Sequence, residues 1–168
     1  MKKLKLMTII ISGLILLTAC WNTAEEGEKL PEEIPDDFNF QLKYGFEARD
    51  ILDTYEDTFV HNMIEKEDIT IDFQLSDEEM EQIYSMMAEA DILNSAENAS
   101  EYTCADPYEV NELQVTINGE VYEREWITSY CEKKPDKKLE EFIYVLHTEI
   151  VMPREEYREL PEPEGGYD

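Results

Sequence analysis

The chain is short of positive charge, of histidine and of cysteine, and each shortage removes a class of function. Fourteen Lys and Arg stand against 41 Asp and Glu in 168 residues, a formal net charge of −27. Such a polyanion has no counterions to release from phosphates and is repelled by them, so nucleic acid is excluded as a partner. Anionic lipid head groups repel it in the same way. His61 and His147 are the only imidazole bases. Neither lies in a nucleophile motif, which argues against a serine or thiol hydrolase. His147 borders the apolar stripe of a predicted helix and reads as a boundary residue. HExxH, CxxC and phosphate-cradling motifs are all missing, so no metal, cofactor or catalytic residue is expected. The apolar run from Leu4 to Ala19 is shorter than the roughly 20 residues that a spanning helix needs.

That run follows Lys2, Lys3 and Lys5 and closes on Leu17-Thr18-Ala19-Cys20, the pattern of a bacterial lipobox, with polar sequence immediately after it. Residues 1–19 therefore read as a lipoprotein signal peptide. Cys20 becomes the first residue of the mature chain, bearing diacylglycerol and fatty-acyl chains such as palmitate. The expected address is the cell membrane, lipid-anchored on its extracytoplasmic face. Loss of the three signal lysines leaves 11 bases against 41 acids, a balance of −30. With anionic lipid repelled, attachment to the membrane falls to the lipid alone. The acidic surface suits a cation or a basic protein as partner, and equally a plain solvated exterior.

Two cysteines remain, Cys104 and Cys131, in a compartment that permits a disulfide. They flank a predicted hairpin whose turn is Asn118-Gly119. In two-residue-loop register Cys104 faces position 133, which leaves Cys131 one diagonal step away on the same face. A disulfide is expected. Two free thiols are the alternative, and Pro107 leaves the geometry open.

Residues 20–37, rich in Glu and carrying Pro31 and Pro35, read as an acidic flexible tether; 38–153 as one domain; and 154–168 as a tail that either drapes over the domain or stays mobile. Within the domain, period-two alternation predicts strands at 38–44 and 69–75 and the Leu113 to Thr128 hairpin. Residues 46–66 fit helix and strand equally. A Ser76–Glu79 capping box opens a helix striped by Met80, Ile83, Tyr84 and Met87 that fades near Asn94. Asp136 caps a second, carrying Leu139, Phe142, Ile143, Leu146 and Ile150 and stopped by Pro153. The expected fold is α+β, a mainly antiparallel sheet with two amphipathic helices packed on one face.

In the predicted hairpin register, Tyr122, Arg124 and Trp126 share the face of Leu113 and Val115. Arg124 and Trp126 are thus the candidate binding residues, against a plainer role for Arg124 at the sheet edge. Asp50, Asp53, Glu56 and Asp57 cluster without the ligand rhythm or glycine of an EF-hand, so no calcium site is assigned. Carboxylate pairs for hydrolysis carry no signal among 41 acids.

The blocks Leu42-Lys-Tyr-Gly45, Ile51-Leu-Asp-Thr54, Leu75-Ser-Asp-Glu-Glu79 and Leu160-Pro to Gly165-Gly-Tyr167 resemble a group of small, uncharacterised lipoproteins of Gram-positive bacteria. The resemblance implies an anchor on the outer face of the cytoplasmic membrane and brings no activity or site residues. The expected function is a non-enzymatic, surface-tethered binding or interaction module. A small extracytoplasmic hydrolase using a carboxylate pair is the alternative.

Overall fold

The computed structural model describes residues 28–94, 108–128 and 136–166. In chain order these form β1 (Asn39–Tyr44), β2 (Asp50–Asp53), β3 (Thr58–His61), β4 (Ile69–Asp72), α1 (Asp77–Glu89), β5 (Val110–Ile117), β6 (Glu120–Ile127) and α2 (Lys137–Val145). A π-helical run, Leu146–Val151, and a single turn, α3 (Glu155–Arg158), follow. The strands make one antiparallel sheet in the order β4-β3-β2-β1-β5-β6, giving a mixed α+β fold dominated by its sheet.

Alternation does what its period demands. In β1, Phe40, Leu42 and Tyr44 are buried while Asn39, Gln41 and Lys43 stay partly wet. Register then aligns Ile71, Phe59, Leu52, Leu42 and Leu113 in an apolar row across five strands. The ambiguous stretch 46–66 resolves into β2 and β3. Leu52 and Phe59 enter that row, and the Asp53 carboxylate accepts from the N–H groups of Tyr55 and Glu56 at 2.9 and 3.2 Å, a side-chain-closed turn that competes with helix. The strand expected at 69–75 stops at Asp72, because the Phe73 N–H donates to the Asp57 carbonyl at 2.7 Å and turns the chain toward Ser76.

The Ser76 capping box is formed: its hydroxyl accepts from the Glu79 N–H at 3.3 Å, and Glu79 accepts from the Ser76 N–H at 2.8 Å. A cap of this kind stabilises by about 1 kcal/mol. Ile83, Tyr84 and Met87 bury the stripe. Asn118 and Gly119 have φ of 52° and 79°, the left-handed pair that a type I′ turn requires. The Asp37 carboxylate accepts from both of their N–H groups. Asp136 caps α2 as expected, but from Leu146 the continuous helix becomes π-helical, and the Met152 N–H reaches back five residues to the His147 carbonyl. The added residue per turn keeps Leu146, Ile150 and Val151 all buried. Strands, α1, α2 and the π run contribute to a single core.

Contacts run past both ends of the 38–153 unit. Leu30 packs on the core, and the Pro31 carbonyl accepts from the Tyr84 hydroxyl at 2.9 Å. At the other end residues 154–166 make contacts of their own. Arg154 clamps both Glu79 carboxylate oxygens at 2.8 and 3.0 Å, donates to the Gln74 carbonyl at 3.0 Å, and lies 4.9 Å over the Phe73 ring. Further on, Glu164 bridges to Ile64. Burial pushes the Glu79 carboxyl up, but the Ser76 N–H and hydroxyl and the Arg154 guanidinium outweigh it and hold the group below its ordinary value. Among the described residues no helix is long and apolar enough to cross a membrane. The lipobox, Cys20, Cys104 and Cys131 lie outside the described residues.

Candidate functional site

One end of the sheet's core side is polar, and strand register explains how. Tyr44 of β1 stands opposite Asp50 of β2. Asp50 lies one step beyond the Ile51–Val60 pair, level with His61 of β3. Tyr44 lies one step beyond Lys43–Glu112, level with Asn111 of β5, which faces Trp126 of β6. His61, Asp50, Tyr44, Asn111 and Trp126 therefore form a second cross-strand row beside the apolar one. Tyr44, His61, Asn111 and Trp126 are all less than 9 % exposed.

This row holds every buried side-chain polar atom that lacks a hydrogen bond among the described residues: His61 Nδ1, Asn111 Oδ1 and Trp126 Nε1. His61 Nδ1 lies 3.4 Å from Asp50 Oδ1 without hydrogen-bond alignment. Each such atom costs roughly 1–3 kcal/mol. Their gathering in one row marks a place where the sequence does not maximise stability, the usual mark of a functional site.

The π run brings His147 onto the row. Its Nδ1 is 2.9 Å from the Tyr44 hydroxyl and its Nε2 3.5 Å from the Tyr157 hydroxyl of α3. Burial lowers the His147 pKa below its ordinary 6.5; the Asp50 carboxylate pulls it up and His61 pulls it down. Burial likewise raises the Tyr44 phenol well above 10, with Asp50 and Tyr157 adding to it. The Tyr44 phenol therefore stays protonated at neutral pH, while His147 is held as the neutral imidazole.

Beside this cluster opens a cavity of about 310 Å³ lined by Tyr44, Gly45, Asp50, Glu109, Thr128, Glu140, Ile143, Tyr144, His147 and Thr148. Three carboxylates reach it from β2, from the residue preceding β5 and from α2, and its described lining includes no lysine or arginine. Tyr144 stands 66 % exposed at this cavity. Gly45, at φ +82°, leaves room where a Cβ would come 3.4 Å from Asp50 Oδ2. Asn111 Nδ2 and Thr128 Oγ1 are 3.3 Å apart, and Thr128 Oγ1 donates to Glu109 at 3.2 Å. That chain joins the buried row to the cavity wall.

Arg124 and Trp126 share a face as the register requires, but the structure gives them separate roles. Arg124 Nε donates to the Leu93 carbonyl at 2.6 Å and Nη2 lies 3.7 Å from Glu28, which fastens the turn after α1 to the sheet edge. Trp126 is buried, its ring 6.5 Å from that of Phe142, and it belongs to the polar row. The Asp50 to Asp57 acids part company. Asp50 joins His61 while Asp53 closes the β2–β3 turn, and no group of three potential ligands is placed to hold a metal among the described residues. His61 and His147, set aside in the sequence as histidines without a nucleophile motif, both belong to this cluster. Strand parity from Phe59 would have put His61 on the core face, had β3 been assigned. No protein family, curated protein or solved structure matches this chain.

Proposed function

We propose that this protein is an extracytoplasmic lipoprotein, anchored to the cell membrane through Cys20, which acts as a non-enzymatic binding module and receives a cationic group of a basic partner in the Tyr44–His147 cavity. The observation that carries this reading is the convergence of Asp50, Glu109 and Glu140 with the rings of Tyr44 and Tyr144 around one opening. Carboxylates supply charge and an exposed aromatic face supplies cation–π attraction, worth about 0.5–2 kcal/mol. The orphaned polar atoms of the adjoining row give a further reason to read the region as a site. The fold reading that goes with it places both amphipathic helices on the core face of the sheet, supported by the core that Ile83, Met87, Leu139 and Phe142 share with Leu42 and Leu113.

N-acetyl-lysine amide, added to the full-length chain and followed by calorimetry and NMR, is expected to shift resonances of Tyr144 and His147. Affinity should weaken about three- to tenfold in Tyr144→Ala and in Glu140→Gln. An equal response to N-acetyl-glutamate amide, or none at these residues, would reject the cationic ligand. Turnover of an added glycoside, lost in Glu140→Gln, would favour the hydrolase instead.

A further inference from the structure

We propose that residues 154–166 form a proton-sensitive latch, pinned by Tyr157 between His61 and His147, which loosens when His147 takes up a proton. The geometry is that of a clasp. The Tyr157 ring meets His147 edge-on at 5.6 Å and 88°, His61 at 5.3 Å and 71°, and Phe59 at 5.7 Å and 64°. The two histidines of the chain, from the π run and from β3, thus hold the same aromatic side chain of the tail.

The hydrogen bonds make the clasp depend on charge. A neutral imidazole has one N–H and one lone pair, so of Tyr44 and Tyr157 one donates to His147 and the other accepts from it. An imidazolium has two N–H groups and no lone pair, so whichever tyrosine was the donor loses its acceptor. The Tyr44 hydroxyl has no other hydrogen-bond partner among the described residues, and the residue is 3 % exposed. Every element packed there contributes a titratable group: Tyr44 from β1, Asp50 from β2, His61 from β3 and Tyr157 from α3, with Glu109 and Glu140 across the cavity. Asp50 favours the imidazolium; His61 and burial oppose it, and the balance lies with the neutral form.

The sign follows. Neutral His147 favours the closed strap, and a solvated His147, near 6.5, takes protons more readily. The contribution of neutral His147 to closure is therefore complete above pH 6.5 and is lost as pH falls below it, through the lowered closed-state value. The strap remains rooted at its start, because Arg154 grips Glu79 and Glu156, whose carboxyls are both held below their ordinary range. Its far end is tied by the Ile64–Glu164 bridge and the Lys66–Glu164 ion pair, so loosening starts at Tyr157, between the two ties. The strap responds in this way whether or not the cavity takes a cation.

The test is amide hydrogen exchange of residues 155–166 in the full-length chain from pH 7.5 to 5.0, corrected for intrinsic rates, with the His147 titration followed by NMR. Protection of the strap is expected to fall about tenfold for each unit separating the closed and open pKa of His147. Tyr157→Ala should return the His147 titration toward 6.5, His147→Gln should abolish the pH dependence, and His61→Gln should retain it. Strap protection that is constant across this range, or that falls equally in His147→Gln, would overturn the latch. So would a His147 in the native protein that titrates at or above 6.5 with the strap closed, a result independent of how any variant folds.

Discussion

Phe59→Ala is expected to lower stability by about 3–5 kcal/mol, the cost of truncating a well-packed core phenylalanine. Phe59 is fully buried within the apolar row, opposite Leu52 on one side and Ile71 on the other. Its ring lies 5.5 Å from Phe73 and 5.7 Å from Tyr157, so the cavity left behind would open between sheet, chain reversal and strap at once. Those neighbours hang from different elements, and partial collapse would recover only part of the lost contact. Against a typical total of about 5–15 kcal/mol, this is a large fraction. Urea denaturation followed by tryptophan fluorescence should show the midpoint falling by about 2 M with little change in slope. A loss under about 1 kcal/mol would mean that the strap and the β2–β3 hairpin close over the vacancy and that Phe59 is not a keystone of this core.

Cys20→Ser carries the second large effect, because on the present proposal a single sulfur holds the whole chain at the membrane. One thioether-linked diacylglycerol brings two acyl chains, the level needed for stable anchoring, and each buried methylene contributes about 0.8 kcal/mol. A surface of −30 adds nothing to that attraction and opposes it near anionic lipid. The variant is expected to yield no lipid-bearing N-terminal peptide, the protein being shed or kept as a precursor with residues 1–19 attached. Mass spectrometry of the membrane-extracted native protein is the check. An N-terminal peptide with unmodified Cys20 would remove the anchor from the proposal.

The parts of the fold legible in the sequence are those where one local rule acts alone. Asn118-Gly119 fixed the hairpin turn and through it the pairing of Leu113 with Arg124 and Val115 with Tyr122. Ser76 and Glu79 marked the start of α1, and alternation marked β1. The β2–β3 hairpin was hidden because Ala48, Ile51, Leu52, Tyr55, Phe59 and Met63 also satisfy helical spacing. What decides between the readings is pairing with a neighbouring strand, Leu42 with Leu52 and Leu52 with Phe59, which the spacing inside the stretch does not show. The candidate site was hidden for the same reason. Tyr44, Asp50, His61, Asn111, His147 and Tyr157 become neighbours only once the strands are in register and the helical segment carrying His147 lies against Tyr44 and Tyr157, and no local pattern announces that placement. Arg124 and Trp126 were visible because they share one strand, and their shared face followed from parity alone.

The placement of β1 between β2 and β5 bears on how the chain comes to be folded. The β1–β4 meander and the β5–β6 hairpin each close through short connections, on the microsecond scale of local pairing. Joining them means bringing Leu113 beside Leu42 across everything between, where the entropy of loop closure is lost before any contact repays it. Docking of the hairpin onto β1 is therefore the expected rate-limiting step. Leu113→Ala should slow folding, while Ile71→Val, at the far margin of the meander, should chiefly hasten unfolding; equal φ-values at the two sites would contradict this order. During synthesis β1 emerges with one backbone edge unpaired and keeps it so until β5 has been made. For that interval the nascent chain carries at β1 an open edge that the finished sheet covers, and its dense negative charge then serves to keep neighbouring copies apart.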